Sequence, residues 1–198
     1  MKKIIDRVSV IIPTYNRAED LQDCLLSVLT QEQKPLEVII VDDSTNDEVR
    51  ELINRIKLKF VSINCELIYI HNFRERSLTI SRNIGIGIAK GEIILFLDSD
   101  VVLDSNYLQN IIDVFQANQN ALGVQGLIKT NENPSRIREK IINTYNKIFL
   151  IQIIRKNSFK LLPSLGVMTS PDVDQLINCE WLSGANQSYR REILTKYF

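Results

Sequence analysis

Short apolar runs that alternate with helical stretches constrain the fold of this chain more than any other feature. Four such runs, at residues 8–12, 36–41, 65–70 and 92–97, are apolar almost throughout. Runs of this kind are typical of strands buried on both faces, as in parallel sheets. Each run is followed by a segment whose apolar residues recur at three- and four-residue spacing, which favours an amphipathic helix. The alternation predicts an α/β domain with an open, mainly parallel, Rossmann-like sheet and helices on both faces.

The helix boundaries follow from local signals. Asn16 is followed three residues later by Glu19, which is the spacing of a capping pair, so we predict that the first helix begins there. Residues 77–89 predict a third helix, and a fourth begins near Ser105. A fifth strand is expected within residues 121–129.

The regular alternation ends after residue 129. Residues 130–176 contain Pro134, Pro163 and Pro171 and an apolar patch around Phe149, so we expect a mobile excursion of helix and loop. Within it, residues 147–156 form an apolar stretch flanked by basic residues. This stretch either packs on the domain as a helix or docks on a membrane surface.

Composition excludes several classes of protein. The 24 basic and 24 acidic residues cancel, so no overall field favours nucleic acid. The three cysteines, Cys24, Cys65 and Cys179, are odd in number and lack metal-site spacing, which indicates packing residues in a reducing compartment. The longest apolar candidate, residues 148–154, is far shorter than the ~20 residues of a membrane span. These features predict one soluble, cytoplasmic domain over residues 1–198.

Acidic residues stand at the end of the fourth predicted strand. In an extended segment Asp98 and Asp100 point to the same side, about 7 Å apart. Two carboxylates on one side suit Mg²⁺ or Mn²⁺, which completes its coordination with water and substrate phosphates. The alternative is a turn in which Asp and Ser only start the next helix. An EF-hand is excluded, because Leu103 stands where that loop requires glycine.

Four blocks, in this order and spacing, resemble the successive motifs of family 2 glycosyltransferases. They are VSVIIPTYNRAEDLQDCLLSVLTQ, LEVIIVDDST, SRNIGIGIAKGEIILFLDSD and WLSGANQSYRREIL. The resemblance covers the chain except for about residues 130–176. It implies the GT-A fold and an inverting transfer of a sugar from a nucleoside diphosphate to a hydroxyl group.

The resemblance also implies roles for individual residues. Tyr15 is expected against the base, and Asp43 as acceptor of a hydrogen bond from a ring N–H, which fits uracil, thymine or guanine. Arg82 is expected to pair with phosphate or to hold the aspartates. Asp100 is expected on Mn²⁺ or Mg²⁺, with Asp98 nearer the ribose and sugar. The full set for the nucleotide sugar is Pro13, Thr14, Tyr15, Arg17, Asp43, Arg82, Asp98 and Ser99.

The acceptor side is expected in the second half of the chain. The resemblance places the nucleotide-sugar half at residues 1–129 and the acceptor-side half at 130–198. The residues expected to shape the acceptor pocket are Trp181, Ser183, Gly184 and Ala185. In the family an acidic pair that includes the general base follows the RREIL helix, and neither Glu180 nor Glu192 stands at that position. We therefore expect the base beyond Phe198, in a longer glycosyltransferase.

The expected partners are a donor of the UDP, GDP or dTDP type and a saccharide or lipid-linked acceptor. The setting is the synthesis of cell-surface polysaccharide, lipopolysaccharide or glycoconjugate, in the cytoplasm or at the inner face of the membrane. The main alternative is a nucleotide-sugar binding module without catalysis.

Two further classes share single motifs with this chain. Asp42 and Asp43 resemble the acidic start of a receiver domain, and FLDSD resembles the motif of dehalogenase-type phosphatases, although both motifs belong on a first strand. We expect a structural role for His71.

Overall fold

The computed structural model describes residues 6–128, 152–154, 160–161, 167–169, 177–179, 182 and 184–197. The chain divides into two compact units, Met1–Gly126 with Gly184–Phe198, and Leu127–Ser183. The strands of the first unit are β1 Val8–Thr14, β2 Glu37–Asp42, β3 Glu66–His71, β4 Ile93–Leu97, β5 Gly123–Gln125 and β9 Asn186–Arg190. Its helices are α1 Ala18–Leu29, α2 Glu48–Ser62, α3 Leu78–Ile88, α4 Tyr107–Ala117 and α5 Arg191–Tyr197.

The six strands form one sheet in the order β3-β2-β1-β4-β9-β5. Strands β1 to β4 pair in parallel, and β9 is antiparallel to both of its neighbours. The predicted mainly parallel sheet is therefore confirmed, and each of its first four strands lies within two residues of its predicted position.

Both faces of the sheet are covered by helices. Alternate residues of β1 point to opposite sides: Val10 and Ile12 pack with α1, α2 and α4, whereas Ile11 packs with α3 and α5. These side chains are fully buried, and each contributes about 1.5–3 kcal/mol to folding. Among the helices of the described residues, none is both long and apolar enough to cross a bilayer.

Helix α3 approaches the sheet closely through a glycine. A Cβ placed on Gly85 would lie 2.5 Å from Cγ2 of Ile11, whereas a Cβ on Gly87 would meet nothing within 4 Å. The absence of a side chain at Gly85 therefore sets the distance between α3 and β1.

The loop between β1 and α1 departs from the prediction. Helix α1 begins at Ala18 after Arg17 and has no side-chain cap, so the predicted Asn16–Glu19 capping pair is wrong. Asn16 adopts a left-handed backbone conformation (φ 51°), which asparagine tolerates better than most residues. Its backbone N–H donates to Ser44 Oγ (2.8 Å), and its Oδ1 accepts from the Thr45 N–H (3.1 Å). Asn16 thus connects two strand-end loops instead of capping a helix.

The C-terminal end of α1 holds the loop that follows β4. Gln31 is fully buried, and its amide nitrogen donates to the Asp104 carbonyl (2.8 Å) while its Oε1 accepts from the Leu108 N–H (3.0 Å). Ser27 Oγ accepts from the Leu103 N–H (3.1 Å). The loop that carries Asp100 is therefore fixed by α1 at several points.

The second unit corrects another prediction. It contains the short strands β6 Gln152–Ile154, β7 Lys160–Leu161 and β8 Val167–Thr169, which form a sheet in the order β6-β8-β7. The helix-and-loop excursion is wrong at these positions, and in β6 and β8 the β-branched residues Ile153, Ile154, Val167 and Thr169 favour strands. The predicted mobility of residues 130–176 and membrane docking of 147–156 fall largely outside the described residues.

The cysteines divide between core and surface. Cys24 and Cys65 are buried, as predicted, and burial raises the pKa of each thiol to about 12. Cys179 is exposed, which corrects the packing role predicted for it. The two buried thiols thus stay protonated and serve as apolar packing residues.

Candidate functional site

A cavity of about 340 Å³ lies at the carboxyl ends of β1, β2 and β4. Parallel pairing aligns these ends, because Thr14 of β1 is in register with Asp42 of β2. Ligands bind at this edge in open α/β sheets. The residues that line the cavity are Pro13, Thr14, Tyr15, Arg17, Asp43, Arg76, Leu78, Asp98, Ser99 and Asp100. The structure thus brings together every predicted donor-site residue except Arg82, which contacts Asp98 from beside the cavity.

Asp43 is held in one orientation by two donors. Asn72 Nδ2 donates to its Oδ1 (2.6 Å), and Ser81 Oγ donates to its Oδ2 (2.9 Å). Asn72 and Ser81 are themselves buried. Each carboxylate oxygen has a second lone pair, so Asp43 keeps acceptor capacity toward the cavity.

Asp98 and Asp100 form a pair of like charges at the tip of β4. Burial raises the pKa of Asp98, and the neighbouring Asp100 raises it further, while the Arg82 guanidinium opposes the shift. Repulsion within such a pair is relieved when a divalent cation binds between the carboxylates.

Each aspartate of this pair has an arginine partner, and the two arginines differ in their surroundings. Arg82 Nη2 lies 3.4 Å from Asp98 Oδ1 and donates to the Gly184 carbonyl (2.8 Å), with its guanidinium 5.3 Å from the ring centre of Phe96. Arg17 Nη1 lies 2.5 Å from Asp100 Oδ2, with both side chains about half exposed. Arg82 is anchored on several sides, whereas the direct contact between Arg17 and Asp100 is exposed to solvent.

Two of the predicted acceptor-side residues contact Asp98 and its partner Arg82. The Ala185 carbonyl accepts from the Asp98 N–H (2.9 Å), and Gly184 contacts Arg82 as described. Trp181 and Ser183 fall outside the described residues.

Tyr15 forms part of the cavity wall. The Arg76 guanidinium lies 4.3 Å from the centre of its ring, which is a cation–π distance. Arg76 and Leu78 were not predicted as site residues, and neither were Asn72 and Ser81. No local pattern in the sequence shows which side chains after β3 turn toward the cavity.

The positions of Asp42 and His71 bear on the receiver-domain alternative and on the role expected for His71. Asp42 is fully buried and accepts hydrogen bonds from Tyr69 Oη (2.7 Å) and the Ser44 N–H (2.9 Å), so of the two acidic residues that resemble the start of a receiver domain only Asp43 lines the cavity. His71 Nδ1 lies 3.8 Å from Asp42 Oδ2, away from the residues that line the cavity. This position agrees with the structural role expected for His71.

The carboxylates of Asp98 and Asp100 fit a cation that takes its remaining ligands from water or from substrate phosphates. Among the described residues, no group of three or more His, Cys, Asp or Glu side chains could hold a metal. Asp98 and Asp100 offer two hard oxygen donors in a cavity with further room, and Mg²⁺ and Mn²⁺ are often held by only one or two carboxylates plus substrate phosphates.

A comparison with known families decides the class of protein. The model for Glycosyl transferase family 2 matches residues 9–198. The chain belongs to this family. As a family 2 glycosyltransferase, it carries at its strand ends the residues on which the sequence resemblance rested.

Relatives of this family 2 glycosyltransferase agree in sequence and fold. The chain is 32% identical over 199 residues to the poly(ribitol-phosphate) beta-N-acetylglucosaminyltransferase TarP of Staphylococcus aureus, covering 89% of this chain and 57% of TarP. It is similar to the mannosyltransferase PcManGT of Pyrobaculum calidifontis, solved with GDP-Man and Mn²⁺ (TM-score 0.63, 19% identity, 97% of this chain and 46% of that one). It is also similar to S. aureus TarS 1-349 in complex with UDP (TM-score 0.56, 22% identity, 96% and 48%).

These likenesses confirm the predicted GT-A, α/β fold class. The chain spans about half the length of these three relatives.

Proposed function

We propose that this chain binds a nucleoside-diphosphate sugar together with Mn²⁺ or Mg²⁺ and transfers the sugar to a hydroxyl acceptor with inversion. The observation that carries the proposal is that one and the same cavity is lined by Asp43 at one strand end and by Asp98 and Asp100 at another. The cavity thus contains a hydrogen-bond acceptor for a nucleobase, Asp43, and an acidic pair that suits a cation with its diphosphate.

Asp43 and Tyr15 are assigned to the base. With Asn72 and Ser81 fixing its carboxylate, Asp43 accepts the ring N–H of uracil, thymine or guanine, while Tyr15 contributes an aromatic wall. PcManGT was solved with GDP-Man and TarS with UDP, and these two ligands support a UDP, GDP or dTDP donor here.

Asp100, with Asp98, is assigned to the cation. When bound, Mn²⁺ or Mg²⁺ supplies Lewis-acid stabilisation of the charge that develops on the leaving diphosphate. Arg82 balances the charge of Asp98 and holds it in place. Thr14 Oγ1 is buried and has no hydrogen-bond partner among the described residues, so it is free for a donor-sugar or phosphate oxygen.

The transfer follows from this placement. The sugar carbon develops oxocarbenium character as its bond to the diphosphate breaks, and the acceptor hydroxyl attacks from the opposite face, assisted by a carboxylate base. The carboxylates that line the cavity are Asp43, Asp98 and Asp100, all assigned to the donor, so we place the base outside the described residues. Gly184 and Ala185, with Trp181 and Ser183, are assigned to the acceptor side.

TarP, a relative named for action on poly(ribitol-phosphate), supports an acceptor in cell-surface polysaccharide synthesis. The proposal also includes a hexosyl donor and a location in the cytoplasm or at the inner face of the membrane.

Calorimetric titration of the chain with UDP, GDP and dTDP, with and without Mn²⁺, tests the proposal. We expect one of these nucleotides to bind about tenfold or more tightly with the cation present, because Asp98 and Asp100 repel an unaccompanied diphosphate. Equal binding with and without the cation would contradict the assignment of the acidic pair.

The role of Asp43 yields a separate prediction. Ser81→Ala removes one of its two donors without changing the cavity wall, and we expect about a tenfold to hundredfold loss of nucleotide affinity, since a hydrogen bond to a charged group contributes about 1.5–3 kcal/mol and about 1.4 kcal/mol is a factor of ten. The measurement is the same titration in the presence of Mn²⁺. Ser62→Ala, at an exposed serine on α2, is the control and should leave the affinity unchanged.

A further inference from the structure

Arg17 sits on the carboxylate that the proposed cation needs. Its Nη1 contacts Asp100 Oδ2 at 2.5 Å, a short charge-assisted distance. Both residues also line the cavity, so the pair lies where cation and diphosphate are proposed to bind.

The side chains of the two arginines near the acidic pair differ in exposure and in the number of contacts that hold them. Arg82 is 18% exposed and is tied to Asp98, to the Gly184 carbonyl and to the face of Phe96. Arg17 is 53% exposed, and its guanidinium is held in this structure by Asp100. Its backbone, by contrast, is fixed, because its carbonyl accepts from the Leu21 N–H (3.0 Å) at the start of α1. The Arg17 side chain can therefore turn without disturbing the helix.

We propose that Arg17 is a built-in counterion that occupies Asp100 in the empty site and moves to the diphosphate when cation and nucleotide bind. This inference rests on the proposed function. An exposed ion pair is weak, so Arg17 readily leaves Asp100 when a bound diphosphate provides another anionic partner. The exchange keeps the acidic tip neutralised at each stage.

The exchange makes the two ligands cooperative. A cation alone must displace Arg17 from Asp100 and leave its charge unpaired beside the site. With a diphosphate present, the displaced guanidinium gains a partner, so each ligand raises the affinity for the other by the same factor. Arg17 is in this sense a positioning residue that couples the two halves of the donor.

The test is Mn²⁺ binding to the protein, followed by the loss of the free-ion electron paramagnetic resonance signal, with and without the nucleotide that binds. In Arg17→Gln we expect Mn²⁺ alone to bind about three- to tenfold more tightly, because a competing and repelling charge is gone. We also expect the enhancement of Mn²⁺ binding by nucleotide to shrink several-fold. Arg17→Lys keeps the charge and should stay close to the native protein.

Controls separate this inference from the proposed function. Arg55→Gln removes the same charge from an exposed position on α2 and should leave Mn²⁺ binding unchanged. Arg17→Met is a second neutral variant if Arg17→Gln is poorly folded by circular dichroism. Native Mn²⁺–nucleotide binding with unchanged Mn²⁺ affinity in both neutral variants would overturn the role of Arg17. Failure of the native protein to bind Mn²⁺ with any nucleotide would overturn the proposed function instead.

Discussion

Asp100→Asn is expected to abolish the dependence of nucleotide binding on Mn²⁺ and to lower sugar transfer by about 10³-fold or more. The change keeps the size of the side chain but removes a charged ligand at the tip of β4. Lewis-acid stabilisation of a leaving diphosphate is worth several kcal/mol, and each 1.36 kcal/mol is a factor of ten in rate.

The same variant frees Arg17 from its ion pair with Asp100, because the amide oxygen of asparagine carries no charge. Nucleotide binding without Mn²⁺ should therefore be retained or slightly stronger, so the variant is distinguished from an unfolded one. Calorimetry of nucleotide binding and a transfer assay, using full-length protein for transfer, provide the measurements. Asp113→Asn, an exposed position on α4, is the matched control. Persistent Mn²⁺ enhancement in Asp100→Asn would show that the cation is held elsewhere.

Gly85→Ala is expected to lower the free energy of unfolding by about 2–3 kcal/mol, while Gly87→Ala raises it by about 0.5–1 kcal/mol. Both glycines lie in α3, two residues apart, and both gain helix propensity as alanine. Only the Cβ at position 85 meets Ile11, at 2.5 Å, and Ile11 is a fully buried β-branched residue of β1 with little room to move.

Urea denaturation followed by circular dichroism measures both variants. The two changes in the free energy of unfolding are expected to have opposite signs. Helix propensity alone would stabilise both variants, so the difference reports the contact between position 85 and Ile11. Equal stabilisation by the two substitutions would mean that α3 moves away from β1 without cost.

The sheet was predictable because its signal lies in single segments. Runs such as residues 36–41 and 92–97 can hardly fold except as buried strands, and parallel sheets place their ligands at the strand ends. Asp98 and Asp100 were therefore interpreted as a cation site from their position at a strand end, with a helix-starting turn as the alternative, and the family motifs added Tyr15 and Asp43.

Other features depend on contacts between distant segments. Asn16 matched a capping pattern, but its Oδ1 accepts from Thr45, 29 residues along the chain. Asn72 and Ser81 orient Asp43 across the ends of two elements, and no local pattern distinguishes them from ordinary surface residues. The strands β6 to β8 are two or three residues long, too short for a periodic signal.

The position of β9 ties completion of the site to the order in which the chain is synthesised. Strands β1 to β4 all lie before residue 98, so a nascent chain can pair them, and with them the loop of Asp43, early. The partner of β4 on its other side is β9, at residues 186–190, and the Asp98 N–H is bonded only when Ala185 arrives. Until then β4 is an open edge, exposed to pairing with other chains. During translation the base-binding end of the cavity therefore forms before its acidic tip is secured.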